Sequence, residues 1–225
     1  MNNHTSSFGT YEALRIIVPG YYFAALVLCL GWTVADAHGT ALPLDGIQLL
    51  LIVLAIGLIA GLTLYAKETT KRRKAFQENQ PSLYLKTKAR SMADIPVMEE
   101  ADARQLYFFI LNNHVPAIFH EKIFFFGTIY HIMTQIRRTS LWFALLATSA
   151  AAVLLFAGLS LEALTNLTAF AAIVWFIYLL NVRYNKADRK MQENYRDQIC
   201  WLEMNDDLVE EVIRKRHKTP GQSRA

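Results

Sequence analysis

Four apolar stretches, each long enough to cross a bilayer as a helix, constrain this sequence more than any other feature. They cover residues 16–34, 47–65, 141–158 and 163–182, and none contains Asp, Glu, Lys, Arg or His. A membrane-spanning helix needs about 20 apolar residues, because the hydrocarbon core is about 30 Å thick and a helix rises about 1.5 Å per residue. In water, four such helices would have no polar face to turn outward. The sequence therefore predicts an all-α integral membrane protein with four transmembrane helices.

The positions of Lys and Arg predict the orientation of these helices. The short loops between the paired stretches contain neither residue, whereas the segment 66–139 and the tail from residue 183 contain all of the 23 Lys and Arg residues except Arg15. Short loops rich in Lys and Arg stay in the cytoplasm. We therefore expect two transmembrane hairpins, 1–65 and 140–182, with both termini cytoplasmic, in a bacterial inner membrane.

Net charge and cysteine usage exclude several classes of function. The formal charge of +4 follows from the membrane topology, so on charge alone we expect no nucleic-acid partner. Cys29 lies in the first apolar stretch and Cys200 in the charged tail, where the two cannot pair on this topology. No CxxC pattern is present, which fits soluble parts in the reducing cytoplasm, and we predict no cofactor.

The cytoplasmic parts are predicted to be helical. The segment 66–139 forms a domain that opens with a cationic run, which contacts lipid headgroups or binds an anionic ligand such as a nucleotide. This run consists of Lys71, Arg72, Arg73 and Lys74. Residues 118–136 form either the core of this domain or a helix lying in the membrane interface. The tail 183–225 is predicted as one long helix to His217 with a disordered end, packed on the middle domain or on a second copy.

No motif indicates an enzyme. His120 and Glu121 begin like the HExxH motif of zinc proteases, but Phe124 stands where the second histidine is required. His114, His120 and His131 could bind a metal only if they shared one face, and packing or interface histidines are the simpler interpretation. We predict no catalytic residue and no metal site, and keep a membrane enzyme built on this histidine segment as a third alternative.

Two features of the apolar stretches indicate helix packing and bending. Gly57 and Gly61 form a GxxxG pair, which lets two helix backbones approach closely, either within one subunit or between subunits. Pro19 and Gly20 interrupt the first stretch near its cytoplasmic end and are a candidate hinge. Polar residues in the stretches are sparse, so a pore built from them would be narrow and largely apolar, and such a constriction can gate by dewetting.

The layout resembles the small multi-span effectors of bacterial anti-phage defence systems, such as the membrane subunits of Kiwa and of nucleotide-controlled systems like Hailong. The shared features are few spans, a charged helical cytoplasmic part and an opening similar to residues 11–22, YEALRIIVPGYY. The resemblance implies an oligomeric channel or membrane-disrupting effector that stays closed until a cytoplasmic signal acts. It carries over no functional residue.

These observations lead to one expected function and one alternative. We expect a homo-oligomeric, gated, ion-permeable membrane effector, controlled by a cytoplasmic protein partner or a nucleotide ligand. With four spans per subunit, conduction requires a ring of copies surrounded by membrane lipids. The alternative is a non-conducting scaffold that recruits a cytoplasmic partner protein to the membrane.

Overall fold

The computed structural model describes residues 4–37, 39–40, 45–75, 80–156 and 161–218; the side chains of residues 4–8, 37, 68–75 and 218 lie outside this description. Within these ranges the chain forms eight α-helices and no β-strand. The helices are α1 (His4–Ala37), α2 (Gly46–Ala75), α3 (Pro81–Ser91), α4 (Glu100–Asn113), α5 (Ala117–Phe156), α6 (Leu161–Tyr184), α7 (Ala187–Met204) and α8 (Asp206–Lys218).

Helices α1, α2, α5 and α6 contain the four predicted apolar stretches, apart from residues 157–158 of the third stretch, which lie outside the described residues. In the part of the chain that the structure describes, four helices are long and apolar enough to cross a membrane. Helix α2 is the least covered of them, since only 11% of its spanning window is buried, against 28% for each of the others. The all-α class and the four helices of spanning length are thus confirmed.

Helix α5 joins two segments that the sequence analysis assigned to different domains. The predicted boundary at residues 139–140 falls inside this helix, which runs unbroken for 40 residues from Ala117 to Phe156. No Pro or Gly occurs between Thr128 and Phe156, so no residue there breaks the helix. At about 1.5 Å per residue the helix is about 60 Å long, roughly twice the thickness of a hydrocarbon core.

The contacts of the chain divide it into two compact units. The apolar unit comprises Met1–Thr70 and Thr128–Ala187, and the charged unit comprises Lys71–Gly127 and Asp188–Ala225. Helix α5 therefore contributes its first turns to the charged unit and the rest to the apolar unit. The division within α5 lies between Gly127 and Thr128, earlier in the chain than the predicted boundary.

The core of the apolar unit consists of side chains from α1, α5 and α6. Its buried members are Leu26, Phe143, Ala144, Ala147, Leu167, Phe170, Ala171 and Val174. The rings of Phe23 and Phe143 meet edge to face, with centroids 5.4 Å apart, a favoured geometry for aromatic pairs. The alanines let the helices approach closely, as small residues do between membrane helices.

Helix α5 buries roughly opposite faces in two successive parts of the apolar unit. The first buried set is Thr128, Tyr130, His131, Thr134 and Gln135, and the second is Thr139, Ser140, Phe143, Ala144 and Ala147. Successive residues of a helix are about 100° apart, which places the mean directions of these two sets close to half a turn from each other. The first face is largely polar, and the second becomes apolar after Ser140.

The core of the charged unit is formed by α3, α4, α7 and α8. Its buried members are Leu85, Ala89, Met92, Met98, Ala103, Leu106, Ile110, Leu202, Val209, Val212 and Ile213. Pro81 stands at the start of α3, where its missing N–H costs no hydrogen bond. The C-terminal helix thus packs on the middle segment of its own chain, which was one of the two predicted arrangements.

The single tail helix predicted from residue 183 to 217 is wrong. Helix α6 ends at Tyr184, α7 covers Ala187–Met204, and α8 begins at Asp206. At the second break the side-chain amide of Asn205 donates to the carbonyl of Trp201 at 2.7 Å, and its own carbonyl accepts the N–H of Val209. Asparagine competes in this way with helical backbone bonding, which the apolar periodicity of the tail did not reveal.

An ion-pair network on the charged unit gives a pH-dependent prediction. The Lys88 amine donates to Asp206 at 2.7 Å and lies 2.9 Å from Glu210, and these two carboxylates raise the pKa of Lys88. A raised lysine pKa contributes stability in full below the unfolded value of about 10.4, and the contribution is lost as the pH rises through the folded value. We expect Lys88→Met to lower the midpoint of thermal unfolding by the same amount at pH 7 and pH 9, and by less only above about pH 10.4. Lys86→Met, on the same helix, is the control, and equal midpoints for the two variants at pH 7 would contradict the prediction.

Candidate functional site: a polar cluster in the helix bundle

The predicted glycine pair lies against α1 of the same chain. A Cβ atom added at Gly61 would meet the carbonyl oxygen of Ile16, and one added at Gly20 would meet the carbonyl oxygen of Gly57. At Gly57 an added Cβ would lie 2.8 Å from the ring of Tyr21. These glycines therefore bring the backbones of α1 and α2 into contact, so in this structure the GxxxG face is occupied within the subunit.

The candidate hinge lies inside a continuous helix. Pro19 and Gly20 are both buried, and α1 runs through them from His4 to Ala37. A proline removes one backbone hydrogen bond from a helix, which is the usual origin of a local bend. Hinge motion at this point stays a prediction.

The predicted cationic run forms part of the last turns of α2. The backbone of Lys71, Arg72, Arg73 and Lys74 is helical, whereas their side chains lie outside the described part of the chain. Contact of these residues with a lipid headgroup or a nucleotide therefore stays a prediction.

The histidines occupy three different environments. The ring of His120 contacts the amide oxygen of Asn112 at 3.2 Å and stacks near Phe124, with centroids 4.6 Å apart. His114 is exposed next to Phe109, and His131 is 2% exposed beside the ring of Tyr65. Among the described residues, no group of three or more His, Cys, Asp or Glu side chains is arranged to hold a metal ion.

A partly buried ion pair links three helices at one end of the apolar unit. On α1, the Arg15 guanidinium donates to the Glu12 carboxylate at 2.6 Å, and its Nε donates to the Thr128 hydroxyl of α5 at 3.1 Å. The other carboxylate oxygen of Glu12 accepts the Tyr65 hydroxyl of α2 at 2.5 Å. The side chain of Arg15 is 7% exposed and that of Glu12 is 24% exposed. We refer to Glu12, Arg15, Tyr65 and Thr128 as the polar cluster.

Further polar side chains continue from the polar cluster along α5. The Gln135 amide donates to the backbone carbonyl of Leu64 at 3.2 Å, which is a second link between α5 and α2. The hydroxyls of Tyr22 and Ser140 share a hydrogen bond at 2.6 Å, which links α5 to α1. From Thr128 to Ser140 this polar region extends about 18 Å along the helix.

The remainder of the apolar unit has a different character. Beyond Ser140 the core consists of the apolar side chains around Phe143 and Leu167. Polar side chains bond again at the opposite ends of α1 and α6, where the Asn166 amide donates to Asp36 at 2.8 Å. One half of the bundle interior is thus polar, and a packed apolar layer follows it.

The polar cluster is costly to bury and costly to break. Taking two charges out of water costs several kcal/mol per ion, and removing one partner of a buried pair typically destabilises by about 3–5 kcal/mol. Ionisable side chains among membrane-spanning helices are rare for this reason, and they commonly mark a functional site. The cluster is accordingly the strongest candidate site in the described part of the chain.

The sequence analysis missed the polar cluster. It treated Arg15 only as a topological charge before the first span, and it gave no role to Glu12 or Tyr65. Two signals were present: Glu12 and Arg15 are three residues apart, on one face of the helix that leads into the span. Tyr65 also ends the second stretch, at the same side of the predicted hairpin.

No protein family, curated protein or solved structure matches the chain. The fold itself therefore defines the class: an all-α protein with four helices of membrane-spanning length and a separate charged helical unit.

Proposed function

We propose that this protein is a homo-oligomeric, gated, ion-permeable effector of a bacterial inner membrane, and that the polar cluster holds its closed state. The observation that carries the proposal is the partly buried Glu12–Arg15 pair, which joins α1, α2 and α5 through Tyr65 and Thr128. Because the Glu12–Arg15 pair joins all three helices, loss of one of its hydrogen-bond partners can allow the three helices to separate together.

Insertion into the membrane is supported by the surface of the apolar unit. Helix α2 exposes a row of large apolar side chains, Leu50, Leu51, Leu54, Leu58, Ile59 and Leu62. Exposed apolar surface of this extent is unfavourable in water and fits lipid or another subunit. In the membrane, the distribution of Lys and Arg supports a cytoplasmic location for both termini and the charged unit.

An oligomer is supported by the filled interior of the subunit. The layer around Leu26, Phe143 and Leu167 closes the middle of the bundle with packed apolar side chains. A path for ions therefore runs between copies rather than through one of them. The contact between copies lies away from Gly57 and Gly61, because α1 covers these glycines.

Control from the cytoplasm is supported by the continuity of α5. This one helix carries Ala117 at its start in the charged unit and Thr128 in the polar cluster. A cytoplasmic ligand or partner that binds the charged unit better in one state shifts the whole protein toward that state. The role in anti-phage defence rests on the architectural resemblance alone.

The alternative function is a non-conducting membrane scaffold for a cytoplasmic partner. The packed apolar layer favours it, since a bundle closed in this way needs no second state. In a scaffold the polar cluster would only hold the helices together.

The first test measures membrane potential. Cells that produce the protein from an inducible promoter are followed with a voltage-sensitive dye, with and without phage infection. We expect a stable potential before infection and depolarisation after it, because the closed state is held until a signal arrives. Cells with an empty vector are the control. An unchanged potential in infected cells, with the protein confirmed in the membrane, would reject conduction and leave the scaffold.

A further inference from the structure

The buried face of α7 differs from that of the other helices in the charged unit. Its buried residues are Ala187, Met191, Asn194, Gln198 and Leu202, so two of five are amides. The corresponding residues of α8 are Val209, Val212 and Ile213, all apolar. Side-chain amides in a helical core lower stability compared with apolar residues of similar size, unless they are fully hydrogen-bonded.

These two amides are only partly hydrogen-bonded. Gln198 accepts the Tyr107 hydroxyl at 2.5 Å, and the Asn194 amide donates to the backbone carbonyl of Ile123 at 3.4 Å, which is long. Burial raises the pKa of Tyr107, so its hydroxyl keeps its proton and remains the donor. The Asn194 Oδ1 and the Gln198 Nε2 are buried and have no hydrogen-bond partner among the described protein atoms. Each such group lowers the stability of the packed state by about tenfold in its equilibrium constant.

The space around Gln198 is too small for a small-molecule ligand. The adjacent cavity has a volume of about 10 Å³ and is lined mainly by apolar side chains, among them Phe119, Ile123 and Trp201. That volume holds about one water molecule. The two amides therefore do not form a ready site for a small molecule, and they gain full hydrogen bonding when α7 moves away and bulk water reaches them.

A further polar contact of α7 with α5 is weak. Lys122 and Asp197 form an ion pair at 2.8 Å, but their side chains are 45% and 44% exposed. An exposed pair of this kind contributes little to stability. Among the apolar side chains of α7, Leu202 and Trp201 pack in the core with α3, α4 and α8.

Helix α7 also follows α6 with almost no linker. Helix α6 ends at Tyr184, and the Asn185 side chain accepts the N–H of Ala187 at 2.7 Å while donating to Asn181 at 2.8 Å. Asn185, one of the two residues between the helices, is therefore held by hydrogen bonds to both of them.

We propose that α7 is a displaceable helix, which leaves the core of the charged unit when the cytoplasmic signal acts. This inference rests on the proposed function for its meaning, because it names the moving part of the gate. The physical statement about α7 stands by itself: the helix is held less tightly than its neighbours because Asn194 and Gln198 occupy its buried face.

Hydrogen exchange of the full-length protein in lipid nanodiscs, read by mass spectrometry, tests this. We expect amides 191–202 to exchange about tenfold faster than amides 209–213 of α8 or 106–110 of α4. Asn194→Leu should slow α7 about tenfold and leave α8 unchanged. Gln192→Leu, at an exposed position of α7, is the matched control and should change nothing. The pair Tyr107→Phe and Gln198→Met is a second variant, which removes both partners of one hydrogen bond and should also slow α7.

Two results would overturn the inference: α7 exchanging as slowly as α8 and α4 in the wild type, or exchange of α7 unaffected by Asn194→Leu and by the second variant. The membrane-potential assay separates this failure from failure of the proposed function. Fast exchange of α7 in a protein that never depolarises the cell would reject the channel and leave the displaceable helix. Slow exchange in a protein that does depolarise the cell would reject α7 as the moving part.

Discussion

Glu12→Ala is expected to depolarise cells in the absence of phage. The change removes the carboxylate that accepts hydrogen bonds from the Arg15 guanidinium and from the Tyr65 hydroxyl. Loss of one partner of a buried pair costs about 3–5 kcal/mol, and because Glu12 is 24% exposed the lower end applies. About 3 kcal/mol shifts a two-state equilibrium by about two orders of magnitude, enough to populate the open state without a signal.

The controls separate gating from loss of fold. Thr148→Val removes a hydrogen bond to the indole N–H of Trp175 at an exposed position of the same bundle, and should leave the potential unchanged. Glu12→Leu combined with Arg15→Met removes both charges, and should restore the closed state in part, since replacing a buried pair by apolar residues is often neutral or stabilising. A normal potential in cells that carry Glu12→Ala in the membrane at wild-type levels would rule out the polar cluster as the element holding the closed state.

The second large effect is expected from adding a methyl group between α1 and α2. In Gly61→Ala the new Cβ meets the carbonyl oxygen of Ile16, and in Gly20→Ala it meets that of Gly57. Because backbone atoms cannot rotate away, we expect each change to destabilise the bundle by about 3 kcal/mol, the upper part of the usual range for overpacking. Gly57→Ala should cost less, since the ring of Tyr21 can turn aside.

The order of these destabilising effects is measured by unfolding the purified protein in a graded detergent mixture and monitoring its helix content by circular dichroism. Gly31→Ala is the control, because a Cβ added there meets nothing within 4 Å and alanine is the better helix former. If Gly61→Ala proved as stable as Gly31→Ala, the close approach of α1 and α2 would be wrong. The same order is expected in a monomeric preparation, because the contact lies within one chain.

The sequence predicted the helices that depend on the composition of a continuous stretch. It did not predict where helices continue or break through side-chain contacts. Long charge-free runs can bury their backbone polar groups in a membrane only as helices, so the four stretches followed directly from composition. The extension of α5 through Arg137 and Arg138 did not follow, because charges were taken as the end of a span and the helix simply continues beyond it. Likewise Asn205 divides the tail through a side-chain hydrogen bond that apolar periodicity does not register.

The polar cluster could not be predicted because it is assembled from distant parts of the chain. Glu12 and Arg15 are neighbours in sequence, but their meaning depends on Tyr65 and Thr128, which approach them only in the folded bundle. A charge placed just before an apolar run has an obvious topological role. The role of Arg15 in the polar cluster was therefore missed, because the rule for orientation counts Lys and Arg beside each span and does not identify their partners.

The opposed contact faces of α5 determine what kinds of motion this helix can make. Rotation about its own axis that brought Thr128 and Gln135 out of their contacts would, in the same movement, take Phe143 and Ala147 out of theirs, because all lie on one rigid rod. Rotation of α5 about its axis is therefore opposed by both sets of contacts at the same time. Within the apolar unit, helix α5 is thus fixed in its rotational setting by contacts on two opposed faces.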